Sequence, residues 1–287
     1  MPVLVAPVAL QRLAHPDGEA GMARAAAAVD TVMCLSTIAT TAPRAVAEAA
    51  PEGKRWLQLY CFRDRGVTRA VIDEAVSAGY TAIALTVDAP FAGKRERDLR
   101  TGFEVPADVT VPAVAAAIGP GKAIGVRKVF ELLDPSLTWD DLAQLAGECD
   151  VPVLVKGVMT AEDARLAVEH GAAGIVVSNH GGRQLDGVQA TIDALPAVAE
   201  AVGGEVEVLV DGGIRRGTDV LVALGLGARA VLVGRPPLWG LAVAGEQGAR
   251  RVLELLREEV ELALALAGCA SPAGVSAGHV NSAARRL

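Results

Sequence analysis

Aromatic residues are scarce in this 287-residue chain, at 3% against 52% hydrophobic overall. A core without large rings must be assembled from Ala, Val, Leu and Ile. Such side chains suit a tightly wound parallel sheet covered by alanine-rich helices. Cysteine is equally sparse: Cys34, Cys61, Cys149 and Cys269 show neither a Cys-x-x-Cys pair nor a Cys/His ligand spacing. They read as free thiols of a reducing compartment, with no metal expected. No apolar run reaches the roughly 18 to 20 residues needed to cross a bilayer. The first residues, Met-Pro-Val-Leu-Val-Ala-Pro, lack the basic region and long apolar stretch of a secretion signal. A cytoplasmic chain without a membrane span is expected. Positive charge is in deficit, with a formal net charge of -7, which excludes a general nucleic-acid binder. Any anion held here must be met by a few well-placed Lys and Arg side chains.

What is present is alternation. Short apolar runs at residues 3–6, 32–35, 56–60, 82–87, 153–155, 174–177, 206–210 and 230–233 are mostly Val, Ile, Leu and Ala. They have the character of strands buried on both faces. Helical patterns lie between them. Residues 160–171 open with Thr-Ala-Glu-Asp, an N-cap followed by first-turn acids, and close on Gly171. Residues 17–28, 64–79, 191–203 and 216–225 repeat the plan. Eight such units predict an α/β chain folded as a (β/α)8 TIM barrel, one domain over residues 1–287, with a doubly wound open sheet as the alternative. One connection is long: from Ala89 to about Thr138 no clear helix is expected, and Gly93-Lys94-Arg95-Glu96-Arg97-Asp98 lies within it. It follows the fourth run, so it would cover the barrel mouth.

Polar residues gather where the apolar runs end. Lys156 follows Val-Leu-Val, and Ser178-Asn179-His180-Gly181-Gly182-Arg183-Gln184-Leu185-Asp186-Gly187 follows Gly-Ile-Val-Val. That decapeptide sets a base and a guanidinium three residues apart on a glycine-loosened turn, an arrangement suited to a 2-hydroxy acid. The segments Asp211-Gly212-Gly213-Ile214-Arg215 and Gly234-Arg235 end the seventh and eighth runs. Glycine turns opening into helices, with two arginines nearby, predict a phosphate site. His15, His170 and His279 have no neighbouring motif and read as surface or packing residues.

Together these segments resemble the FMN-dependent 2-hydroxy acid oxidase and dehydrogenase family, which includes glycolate, lactate and 4-hydroxymandelate oxidases and mandelate dehydrogenase. Ala6-Pro7-Val8-Ala9, Leu35-Ser36-Thr37, Gln58-Leu59-Tyr60, Leu85-Thr86-Val87-Asp88, Lys94-Arg95, Val155-Lys156-Gly157, the decapeptide, Asp211-Gly212-Gly213 and Gly234-Arg235 fall in the family's order and spacing. The resemblance implies FMN as cofactor and a small-molecule 2-hydroxy acid as substrate. Pro7, Val8 and Ala9 would line the flavin, while Ser36, Gln58 and Thr86 would bond its polar edge. Lys156 would sit by N1 and the C2 carbonyl, and Ser178 would also touch the cofactor. Asp211, Gly212, Gly213, Ile214, Arg215, Gly234 and Arg235 would hold the ribityl chain and phosphate. Arg183 and Arg95 would clamp the substrate carboxylate, Tyr60 would bond its hydroxyl or carboxylate, His180 would be the base, and Asp88 would steady its other nitrogen.

Family members usually carry some sixty or more residues before the first strand, including a tyrosine that meets the substrate carboxylate; no counterpart is found here. The electron acceptor implied is oxygen, a quinone or a protein; for the substrate, the segment Pro7-Val8-Ala9 and overall similarity lean toward hydroxymandelate-type enzymes. A homo-oligomer, a tetramer by family habit, is expected. Two other readings stand beside this one: an FMN barrel of different chemistry, such as an isomerase or cofactor maturase, and a truncated flavin-binding remnant without turnover.

Overall fold

In the computed structural model, which describes residues 1–119 and 121–281, eight parallel strands close into a barrel. They are β1 (Val3–Val5), β2 (Val32–Ser36), β3 (Lys54–Leu59), β4 (Ile83–Thr86), β5 (Val153–Val158), β6 (Gly174–Val177), β7 (Glu207–Asp211) and β8 (Ala230–Val233). β8 returns to pair with β1, so the open-sheet alternative is set aside. The helices are α1 (Gly18–Ala28), α2 (Pro43–Ala49), α3 (Arg65–Ser77), α4 (Glu96–Thr101), α5 (Pro112–Ile118), α6 (Val126–Leu132), α7 (Trp139–Glu148), α8 (Ala161–Glu169), α9 (Thr191–Val202), α10 (Gly217–Gly225) and α11 (Arg235–Leu266). No helix among the described residues is long and apolar enough to cross a membrane.

Period-two alternation divides each strand between two cores. Outward residues such as Val5, Met33, Leu57, Ile83, Val155 and Ile175 pack under the helices in the main core. Leu4, Ala6, Ala82, Leu154, Val176, Leu209, Ala230 and Leu232 form a separate cluster with Val32 and Trp56, the filling of the barrel. Two residues further along, the inward positions turn polar: Trp56 gives way to Gln58, Ala84 to Thr86, Leu154 to Lys156, Val176 to Ser178 and Leu209 to Asp211. All five polar residues are buried. The change falls at the strands' C-terminal ends, where barrel enzymes build their sites.

The connection after β4 departs from the sequence expectation. It is not an irregular stretch up to Thr138 but holds three short helices, α4, α5 and α6. Val111, Val114, Ala115, Ile124, Val129 and Leu133 bury themselves against Ile38, Tyr60, Phe62 and Val67, making a small core of their own. Helices of six or seven residues are marginal alone; this packing maintains α5 and α6, while α4 buries none of its residues. The eighth unit ends in a long, broken helix. The 32-residue α11 follows β8, breaks at Ala244 and Gly245, and packs against α1 and α10. Asp17 does not cap α1 with its side chain; it accepts a hydrogen bond at 2.9 Å from Glu246 N, at the start of the second half of α11. Asp64 and Thr160 cap α3 and α8 as expected.

Candidate active site

The polar end of the barrel is a wired layer. Gln58 Oε1 accepts from Ser36 Oγ at 3.1 Å and Thr37 N at 3.3 Å, while its Nε2 donates to Thr86 Oγ1 at 2.9 Å. Lys156 donates to Ser178 Oγ at 2.7 Å and lies 2.9 Å from Asp211 Oδ2. Ser178 Oγ donates a hydrogen bond to Asp211 Oδ1 at 2.7 Å and accepts one from His180 N at 3.1 Å. Burial works against the Lys156 charge, but the charges of Asp211 and Asp88 and the Asp211 hydrogen bond hold its pKa above the ordinary lysine value. Cys34, inward on β2 beside this pair, is pushed up to about 12 by burial and remains a thiol. Among the described residues all four cysteines are free.

His180 stands on the turn after β6 with a left-handed φ of 60°. Its Nδ1 is 2.9 Å from Asp88 Oδ1, which fixes the Nδ1–H tautomer and leaves the Nε2 lone pair free. Nε2 is 3.5 Å from the Tyr60 hydroxyl. Burial first, then the Asp88 charge, raises the Tyr60 pKa, so the group stays a phenol. Asp88 Oδ2 is buried and has no hydrogen-bond partner among the described residues. Asp88 reaches this seat because the strand beneath it carries Gly157, with φ +115°, where a Cβ would come within 2.7 Å of Asp88 Cβ and 2.8 Å of its nitrogen. A β-bulge between Lys156 and Val158 marks the same spot.

Arg95 and Arg183 complete this half. Arg95 Nη1 donates to the Arg183 carbonyl, bringing residues of the β4 and β6 connections together. Neither guanidinium pairs with a carboxylate among the described residues. Burial, then the charge of Arg183, lowers the Arg95 pKa, the mark of two cations facing the same space. Such an unpaired pair is complementary to a carboxylate.

The remaining predicted residues lie along the β7–β8–β1 side of the same rim. Pro7 and Val8 are half-buried and Ala9 is exposed just beyond β1, with Val8 O held by Gln11 Nε2 at 3.2 Å. Gly212 and Gly213 turn the chain after β7, Ile214 is buried, and Arg215 stacks over Trp239 at 5.8 Å. Gly234 leads into α11, and Arg235 donates to Gly181 O at 2.9 Å, tying the predicted phosphate site to the turn that carries His180. Sequence reasoning assigned no role to Trp239, Gly157 or Gln184. The last two lay inside quoted motifs, which was the available signal. The other histidines are elsewhere: His15 accepts from Asp17 N, His170 contacts Leu166 O and Trp139, and His279 accepts from Ser276 N.

The residues fit FMN. Ser36, Gln58, Thr86 and the buried Lys156 ammonium offer donors and acceptors to a flat ring edge. Two turns opening α10 and α11, flanked by Arg215 and Arg235, suit a phosphate. A barrel with a basic, hydrogen-bonding mouth and a His–Asp pair above it defines a flavin-dependent oxidoreductase acting on a small anionic substrate. The sequence matches the FMN-dependent dehydrogenase family over residues 1–282, and the chain belongs to that family. It is 49% identical over 278 residues to an L-lactate oxidase of Nostoc sp., covering 94% of this chain and 76% of that one. It is 48% identical over 277 residues to human 2-hydroxyacid oxidase 1, covering 94% and 75%. With glycolate oxidase 3 of Arabidopsis thaliana it shares 48% over 287 residues, covering 98% and 78%. A solved mandelate oxidase with (S)-2-phenylpropionate superimposes with a TM-score of 0.85 at 45% identity, covering 100% of this chain and 77% of that one.

Proposed function

We propose that the chain oxidises an (S)-2-hydroxy acid to the 2-oxo acid, with His180 as base and oxygen as the final acceptor. The observation that carries the reading is the His180–Asp88 contact at 2.9 Å, set beside two arginines that lack carboxylate partners among the described residues. Arg95 and Arg183 hold the substrate carboxylate, and Tyr60, a phenol beside Nε2, donates to the substrate's oxygen. His180 Nε2 takes a proton from the substrate, and Asp88, whose second oxygen is free, stabilises the imidazolium that results. The chemistry that FMN supplies when bound is two-electron acceptance from the substrate. Ser36, Gln58, Thr86 and Ser178 would orient the cofactor, and Lys156 would offer it a positive charge. Pro7, Val8 and Ala9 would pack against it, and Asp211, Gly212, Gly213, Ile214, Arg215, Gly234 and Arg235 would hold its chain and phosphate.

The relatives act on lactate, glycolate and 2-hydroxy acids by name, and a mandelate oxidase shares the fold. These compounds form the test panel. The FMN-loaded protein, mixed anaerobically with each acid, should lose its yellow absorbance with at least one and regain it on admission of air. A flavin that stays oxidised with lactate, glycolate and mandelate alike would overturn the reading.

A further inference from the structure

Gln184, four residues beyond the base, uses both amide hydrogens and both acceptor positions. Its Nε2 donates to Asp88 O at 3.0 Å and to Phe91 O at 2.8 Å. Its Oε1 accepts from Gly93 N at 3.0 Å and from Arg95 Nη2 at 3.5 Å. Every partner belongs to the connection after β4, and Gln184 itself to the connection after β6. The two backbones touch at the same place: a Cβ on Gly93 would lie 2.3 Å from Arg183 O and 2.8 Å from Gln184 Cα.

Among the described residues, the one other hydrogen bond from this part of the β4 connection to the β6 turn is Arg95 Nη1 to the Arg183 carbonyl. Between Phe91 and Thr101 no residue is buried, with Phe91 71% and Leu99 70% exposed. Hydrophobic burial therefore cannot keep Arg95 beside Arg183, and the two like charges repel. The hydrogen bonds to the β6 turn supply the restraint that burial does not. A carboxylate arriving between the arginines then meets a clamp already assembled, and the cost of ordering the loop does not fall on substrate binding. Only a carboxamide suits this position. A glutamate offers no donor to the two carbonyls, and a leucine offers nothing to any of the four groups.

We propose that Gln184 is a positioning residue, joining the β4 and β6 connections so that Arg95 and Arg183 form one carboxylate clamp and Asp88 stays seated behind His180. The proposal rests on the assignment of those residues to the substrate, and it adds what holds them there.

The test uses the full FMN-loaded chain as wild type, Gln184→Leu, Gln184→Glu, Arg95→Met and the double variant Gln184→Leu/Arg95→Met. The first readout is binding of oxalate, a non-oxidisable dicarboxylate, followed by the change in flavin absorbance. Both Gln184 variants should bind it about 10- to 100-fold more weakly, with flavin content and Tm near those of wild type. The double variant should bind no more weakly than Arg95→Met alone, because residues acting through one another are not additive. With a hydroxy acid that reduces the flavin, the Gln184 variants should raise KM by more than they lower kcat, a split that a general loss of fold or of flavin would not give. Unchanged oxalate affinity in both variants, strict additivity in the double variant, or flavin loss in parallel with oxalate affinity would each overturn the proposal. Oxalate reads the arginine pair whether or not any hydroxy acid is turned over, so a failure here is distinguishable from a failure of the oxidase reading.

Discussion

The two halves of the site are built differently. The half proposed to meet the flavin's polar edge sits in the barrel: Gln58, Thr86, Lys156 and Ser178 are strand residues or lie directly at a strand end, all at most 5% exposed. The half proposed to meet the substrate is on connections: His180 and Arg95 are half-buried and Arg183 is exposed. In the first half, covalent continuity and ladder hydrogen bonds fix each group to within a strand's tolerance. In the second, His180 and Asp88 are 92 residues apart in sequence and Arg95 and Arg183 are 88 apart, so only side-chain bonds between loops set their geometry. Damage to the first should appear as lost stability and lost flavin. Damage to the second should appear as lost rate and weaker substrate binding on an intact fold.

The largest effect expected is on rate. His180→Asn should keep the flavin and the melting temperature while slowing anaerobic reduction by about 10²- to 10⁴-fold, the usual worth of a general base. Stopped-flow absorbance measures it, and a variant that loses flavin instead would erase the contrast between the halves.

Next is the buried pair. Lys156→Met leaves the Asp211 carboxylate buried without its cation, which should cost about 3 to 5 kcal/mol of stability in urea unfolding. The pH dependence has a definite sign. The folded-state pKa of Lys156 is raised, so its contribution is fully present below the ordinary value of 10.5 and is lost only as pH rises through the higher folded value. The stability gap between wild type and variant should therefore be level through mildly alkaline pH and narrow only in strong base.

The smallest is in the clamp. Arg183→Lys keeps the charge but loses the planar fork, and should raise KM by about 10- to 100-fold with a lesser change in kcat. A fall in flavin content of similar size would show that the halves are not separable.

Much of the barrel was legible in the sequence because its strands are buried on both faces and read as uninterrupted apolar runs; residues 174–177 and 230–233 match β6 and β8 residue for residue. The caps at Asp64 and Thr160 were local signals and were found. The helices α4 to α6 were not, since so short a helix carries little periodicity; α5 and α6 are kept by contacts with Ile38, Tyr60 and Phe62 from earlier strand ends, and α4 buries none of its residues. Site residues were nameable as types at strand ends, but their pairing was not. Nothing local to Asp88 points to His180, and nothing near Gln184 points to Phe91 or Gly93. Only the resemblance to a known family joined the first pair, and only the folded chain displayed the second set.

The Ser178 hydroxyl has a consequence for anyone wishing to transplant this chemistry. One oxygen accepts hydrogen bonds from the Lys156 ammonium and the His180 backbone amide while donating one to Asp211. The decapeptide beginning there is thus not a portable cassette. Grafted onto another barrel, it would bring a histidine and an arginine but leave the turn without its foundations on β5 and β7, and a recipient would need those two strand ends as well as the loop.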